Sequence, residues 1–124
     1  MEKVTNSQYD PKSRWGEKLI SSGFCIIPER VIKKWGTTGL DATDLALVAN
    51  LAAYWWSSDN LPYPATSLLA KNLGVSKRTV ERRIANMVNR GFLARVSVSK
   101  GAPGRTPDVT AFDLSGLIRF FEAV

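Results

Sequence analysis

Histidine is missing from this 124-residue sequence, and cysteine occurs once, at Cys25. Without histidine the commonest general base and the commonest metal ligand are gone, so zinc sites built on Cys and His are excluded. No acid–base pair, metal cluster or phosphate-cradling glycine loop stands out in what remains. The sequence therefore reads as a non-enzyme with no cofactor and no metal. A lone cysteine excludes an intramolecular disulfide framework and fits a reducing compartment. Long apolar runs are lacking too. The longest, Leu45 to Trp56, is twelve residues interrupted by Asn50, too short to span a bilayer. The N-terminus, MEKVTNSQYDPKSRWGEK, has no apolar segment of the signal-peptide kind. These absences predict a soluble, cytoplasmic protein with no membrane partner.

Acid is scarce in one segment only. The net charge is +6, yet Lys71 to Arg105 carries nine basic residues against the single acid Glu81, a local +8 that leaves −2 for the rest. A basic segment inside a slightly acidic chain is the electrostatic footprint of a polyanion site. At 44% hydrophobic residues, the chain has enough apolar material for one packed core.

Residues 1–23 read as an N-terminal arm, polar at first, with Trp15 as its first large apolar anchor. Phe24-Cys25-Ile26-Ile27 is β-prone and closed by Pro28; it is expected to pair at a sheet edge or lie across the core, with Cys25 buried and inert. PERVIKKW, from Pro28 to Trp35, suits a short helix stopped by Gly36. Asp41 is placed to cap a helix over about Ala42 to Ser57. Leu45, Val48, Leu51 or Ala52, and Trp55 give that helix one apolar face, but its other faces are apolar as well. Such a helix is central to a core or forms half of an interface. Leu61-Pro62-Tyr63-Pro64 is then extended, with Leu61 and Tyr63 expected to pin it to the core.

The densest pattern follows. A helix starts at about Thr66, turns Leu69 and Leu73 inward, and places the small Ala70 where a second helix crosses. Gly74 supplies the positive φ that ends it, Val75 plugs the turn, and Ser76 caps the next helix. Val80, Ile84, and Met87 or Val88 form the buried stripe of that second helix, and Gly91 stops it. This stretch, LLAKNLGVSKRTVERRIANMVNRGFL, resembles the helix-turn-helix of bacterial winged-helix DNA-binding proteins, in its Ala, then Gly four on, then Val six on. It departs at one place: a common version puts an apolar residue three after that Val80, where this chain has Arg83, and Ile84 takes the role. GFCIIPERVI and FDLSGL add a weaker resemblance to N-terminal domains of plasmid and phage replication initiators.

With the buried stripe removed, the second helix presents Lys77, Arg78, Thr79, Arg82, Arg83 and Asn86, residue types that match base edges in the major groove. Ser76 at its cap, and Thr66, Ser67 and Lys71 on the preceding helix, are candidate phosphate contacts. FLARVSVS and VTAFDL read as two strands around the loop KGAPGRTPD, the wing the resemblance implies. Lys100 and Arg105 at its tip are suited to a minor groove. Ser115 is expected to cap a last helix, GLIRFFEAV, with Leu117, Phe120 or Phe121, and Val124 as its apolar stripe.

The fold class expected is mainly α with a small β-hairpin wing, an α+β winged helix-turn-helix over residues 24–124. The expected function is sequence-specific binding of double-stranded DNA, as a homodimeric transcriptional regulator pairing through the Leu45–Trp56 helix or the last one. Two alternatives stand beside it: the DNA-binding domain of a replication initiator or partition protein, and a winged-helix module that binds an acidic protein partner.

Overall fold

Local punctuation decides where the elements begin and end. The computed structural model describes residues 10–99 and 108–124. They form α1 (Pro11–Trp15), α2 (Glu17–Ser21), α3 (Glu29–Lys33), a 3-10 turn (Trp35–Thr38), α4 (Ala42–Ala53), α5 (Thr66–Leu73), α6 (Lys77–Asn89), β1 (Ala94–Val98), β2 (Val109–Asp113) and α7 (Ser115–Ala123). Asp41 and Asp44 make a reciprocal capping box at the head of α4: each carboxylate accepts the other residue's backbone N–H at 3.1 Å. Two helix-end donors are thereby satisfied, where a bare end would leave them unpaired. The helix stops at Ala53, four residues short of the expected Ser57. There the Tyr54 and Trp55 amides bond back to the Leu51 and Ala52 carbonyls, a tight final turn that takes the two tryptophans off the helix axis.

α4 is the centre of the core. Leu47, Val48 and Leu51 are buried on it, while Leu45 and Trp55, expected on the same stripe, are only half-buried. Leu69 of α5, Val80, Ile84 and Met87 of α6, and Leu117 and Phe121 of α7 close around it. Trp35 joins from the 3-10 turn: its indole N–H donates to the Asp41 carbonyl at 2.9 Å and its ring stacks on Phe121 at 6.0 Å.

β1 and β2 form an antiparallel hairpin, with Ala94 opposite Asp113 and Val98 opposite Val109. The Phe112 N–H donates to the Pro62 carbonyl at 2.8 Å, so the extended segment before α5 lies against the hairpin's second strand. Pro62 is therefore the buried pin, whereas Leu61 is half-buried and Tyr63 is exposed. The expectation for these residues was off by one position because alternate residues of an extended chain point to opposite sides. The cap of α7 also differs from expectation. The Asp113 carboxylate accepts the Ser115 N–H at 2.8 Å, and Ser115 is the first helical residue, not the cap. These hydrogen bonds, with Arg119 nearby, hold the Asp113 carboxyl below its ordinary 3.8. Leu117 donates to the Phe92 carbonyl at 2.9 Å, which draws α7 onto the end of α6. Gly116 faces that contact: a Cβ there would run into the Gly91 carbonyl oxygen, so only glycine permits the approach.

The N-terminal residues behave otherwise. α1 and α2 bury no residue, and Trp15, Leu19, Phe24 and Ile26 are exposed. Trp15 is thus no anchor, and Cys25, expected to be buried, is exposed. The β-prone run Phe24–Ile27 forms no strand. Strand propensity acts through a partner strand, and among the described residues the run pairs with none; it runs instead beside Ala52 and Trp55 at the end of α4.

Candidate DNA-binding face

α5, the turn and α6 are built as the spacing predicts. Gly74 takes φ +69 and ends α5, returning its N–H to the Ala70 and Lys71 carbonyls. Val75 is half-buried below the turn. The Ser76 hydroxyl accepts the Thr79 N–H at 3.1 Å, a cap that contributes about 1 kcal/mol to a helix of this kind. Val80, Ile84 and Met87 face the core, which fixes what α6 turns outward.

Arg78, Arg82 and Asn86 are exposed and follow at steps of four, so they share one face of α6. Lys77 is exposed at the first turn, 3.9 Å from Glu81, an open pair of small energetic weight. Ser76 and Thr79 engage each other, with 2.9 Å between their hydroxyl oxygens. Thr66 opens α5 half-buried, and Ser67 and Lys71 on that helix are exposed. No side chain caps the start of α5, because Ala65 occupies the position before it. The first N–H groups of α5 are therefore left for solvent or an anion.

Arg83 is placed differently from its basic neighbours. Its Nη1 lies 2.7 Å from both carboxylate oxygens of Asp41 and 3.4 Å from Asp44 Oδ1. The pairing holds the Asp41 carboxyl below its ordinary value, first through the Arg83 hydrogen bond and then through the Asp44 N–H. It raises the Arg83 value in turn. Arg83 thus turns toward α4, away from the shared face of Arg78, Arg82 and Asn86. Arg90 is also drawn inward: it donates to the Thr38 carbonyl at 2.7 Å and its guanidinium carbon lies 5.5 Å from the centre of the Phe92 ring. Sequence spacing signals Arg83, which stands where the resembling pattern has an apolar residue. Nothing in the sequence signals Arg90. On the hairpin, Arg95 is exposed on β1, while Lys100 and Arg105 lie outside the described residues.

Among the described residues, no group of three or more His, Cys, Asp or Glu is placed to hold a metal ion. No helix among them is long and apolar enough to cross a membrane.

Residues 38–93 match the family described as a helix-turn-helix domain, the segment from the 3-10 turn to the residue before β1. With the antiparallel hairpin that follows, the fold is a winged helix-turn-helix of the α+β class. Among solved structures, the N-terminal domain of DnaD protein from Geobacillus kaustophilus HTA426 is similar at a TM-score of 0.61 and 16% identity, over 99% of this chain and 89% of that one. That likeness establishes a shared fold. The transcriptional regulator PA3341 is matched at a TM-score of 0.48 and 20% identity, over 95% of this chain and 73% of that one. No curated protein matches the sequence. The helix-turn-helix match and the basic outward face of α6 together support DNA binding.

Proposed function

We propose that this chain binds double-stranded DNA sequence-specifically, with α6 in the major groove and the hairpin at the adjoining minor groove, as a transcriptional regulator. The observation that carries the reading is the Arg78–Arg82–Asn86 face, exposed on a helix whose opposite side is buried. Arg pairs bidentately with guanine and Asn with adenine, so the face has the chemistry to tell sequences apart. Lys77 and Thr79 flank it at the helix start, and Ser76, Thr66, Ser67 and Lys71 are suited to the phosphates on either side. Lys100 and Arg105 extend the grip from the wing. In this reading residues 24–124 are the DNA-binding domain, residues 1–23 are an arm, and the protein works in the cytoplasm without catalysis or cofactor.

One recognition helix and one wing give limited affinity, so the protein acts as a homodimer on paired half-sites. α4 is largely consumed by its own core. Among the described residues, the apolar surface open to pairing includes Trp15, Leu19, Phe24 and Ile26, Trp56 just beyond α4, and Ile118 on α7, all exposed. A second reading, the DNA-binding part of a replication initiator, is favoured by one observation: the DnaD N-terminal domain shares the fold over nearly the whole chain. Selection of bound fragments from genomic DNA, followed by sequencing, separates the two. A regulator returns palindromes near promoters, and an initiator returns clustered direct repeats. Recovery no better than random fragments at low salt would remove both readings and leave the protein-binding module.

A further inference from the structure

We propose that Arg83 is a positioning residue for DNA recognition: its ion pair with Asp41 and Asp44 latches α6 to the head of α4 and so sets the angle at which Arg78 and Arg82 are offered. The inference rests on the DNA-binding reading above and assigns Arg83 a part in it other than contact with DNA.

Three observations carry it. Asp44 is 4% exposed, and a carboxylate removed from water needs a counter-charge. One of its oxygens takes the Asp41 N–H; the other has no hydrogen bond and faces Arg83 Nη1 at 3.4 Å. Arg83 is thus the compensating cation of a buried acid. The guanidinium is itself held: Nη1 is shared between the two Asp41 oxygens and faces Asp44 as well, and the side chain keeps 25% of its exposure. A group so held is costly to withdraw and re-aim at DNA. Finally, the partners sit at the head of α4, the helix at the centre of the core, so the latch ties the basic helix to that core helix at a second point besides its buried stripe. Asp41 also lies near the basic face with its own negative charge 57% exposed, and Arg83 neutralises it there.

The test separates a latch from a phosphate contact by sign. Asp41→Asn keeps the helix cap, since Asn caps as well as Asp, but removes the 2.7 Å Asp41 arm of the ion pair and leaves the 3.4 Å Asp44 arm. Arg83→Met removes both arms, and Arg83→Lys keeps the charge without the forked geometry. Affinity for a selected DNA site and for random DNA is measured across a salt series, with denaturant unfolding in parallel. The latch predicts that Arg83→Met weakens specific binding about five- to tenfold and Asp41→Asn weakens it by less, that the double variant is no weaker than Arg83→Met, and that the salt slope is unchanged. Arg83→Lys is expected to fall between, and it replaces Arg83→Met if that variant does not fold. A phosphate-contacting Arg83 gives the opposite pattern, and overturns the proposal: Asp41→Asn tightens binding, and loss of Arg83 makes the salt slope shallower by about one. Loss of stability with affinity unchanged also overturns it. Arg78→Ala is the control: failure of both the unsubstituted protein and Arg78→Ala to bind any DNA removes the DNA reading itself. Binding by the unsubstituted protein with additive single effects removes the latch alone.

Discussion

The helix-turn-helix and the N-terminal segment are both rich in apolar residues, yet they end in opposite states. In α5 and α6, Leu69, Val80, Ile84 and Met87 are almost wholly buried. In residues 10–27, Trp15, Leu19, Phe24 and Ile26 stand in solvent. Composition does not separate the two. The first segment has apolar residues at helical spacing between a left-handed glycine and a serine cap, and each helix is long enough to offer a continuous stripe. The second breaks its apolar residues across two five-residue helices and a non-helical run, so that no single face gathers them. An apolar residue is buried when its neighbours in sequence align it with others, and only then does the hydrophobic effect have a surface to remove from water.

Substitutions put that contrast to measurement, beginning with the centre of the core. Leu51→Ala removes a side chain with no exposure and is expected to cost about 2–5 kcal/mol in denaturant unfolding. A loss below about 1 kcal/mol would mean that α4 is not the centre of the core. Next comes the outward face of α6. Arg78→Ala should weaken binding to the selected DNA site by about 1–3 kcal/mol while leaving unfolding within about 0.5 kcal/mol of the parent. Equal loss on all sequences would reassign Arg78 to phosphate.

Acid probes the carboxylates at the helix starts of the packed half. The carboxyls of Asp41 and Asp113 are held below their ordinary 3.8, so each contributes stability in full above that value and loses it as pH falls through its lower folded value. Melting temperature should be level above about pH 5 and fall below about pH 4, and Asp113→Asn should flatten part of that fall. An acid limb identical in the variant would remove Asp113 as a contributor. The smallest effect belongs to the other half: Trp15→Ala is expected to change unfolding of the dilute monomer by no more than about 0.5 kcal/mol. A larger loss in the monomer would mean the segment packs, and a loss seen only at high concentration would mark Trp15 as part of the homodimer surface.

Legibility in the sequence follows the range of the forces involved. Gly74, Ser76 and the 80–84–87 stripe act within one or two helical turns, and they stand where their spacing puts them. The two strands of the hairpin and the burial of Leu117 also follow from short patterns. What failed depended on partners distant in sequence. Trp15 and Cys25 needed a surface to pack on. Pro62 displaced Leu61 and Tyr63 because a strand some fifty residues later chose its carbonyl. Asp113 took the capping part expected of Ser115 because the helix begins at Ser115 itself, whose N–H the Asp113 carboxylate accepts. At the site, the Arg78–Arg82–Asn86 face was readable by subtraction. Arg83 was marked as unusual by its place in the pattern, but neither its partners nor those of Arg90 were readable, because a positive charge carries no mark in sequence of which carboxylate or carbonyl it will meet across the fold.

The contact of Gly116 with the Gly91 carbonyl has a consequence in the language of variation. In a library of all single substitutions selected for folding, position 116 should tolerate a single letter, since even one methyl group meets backbone that cannot step aside. Two residues on, Ile118 is 44% exposed and should accept many. The seam between α6 and α7 is thus a narrow passage in the protein's sequence space.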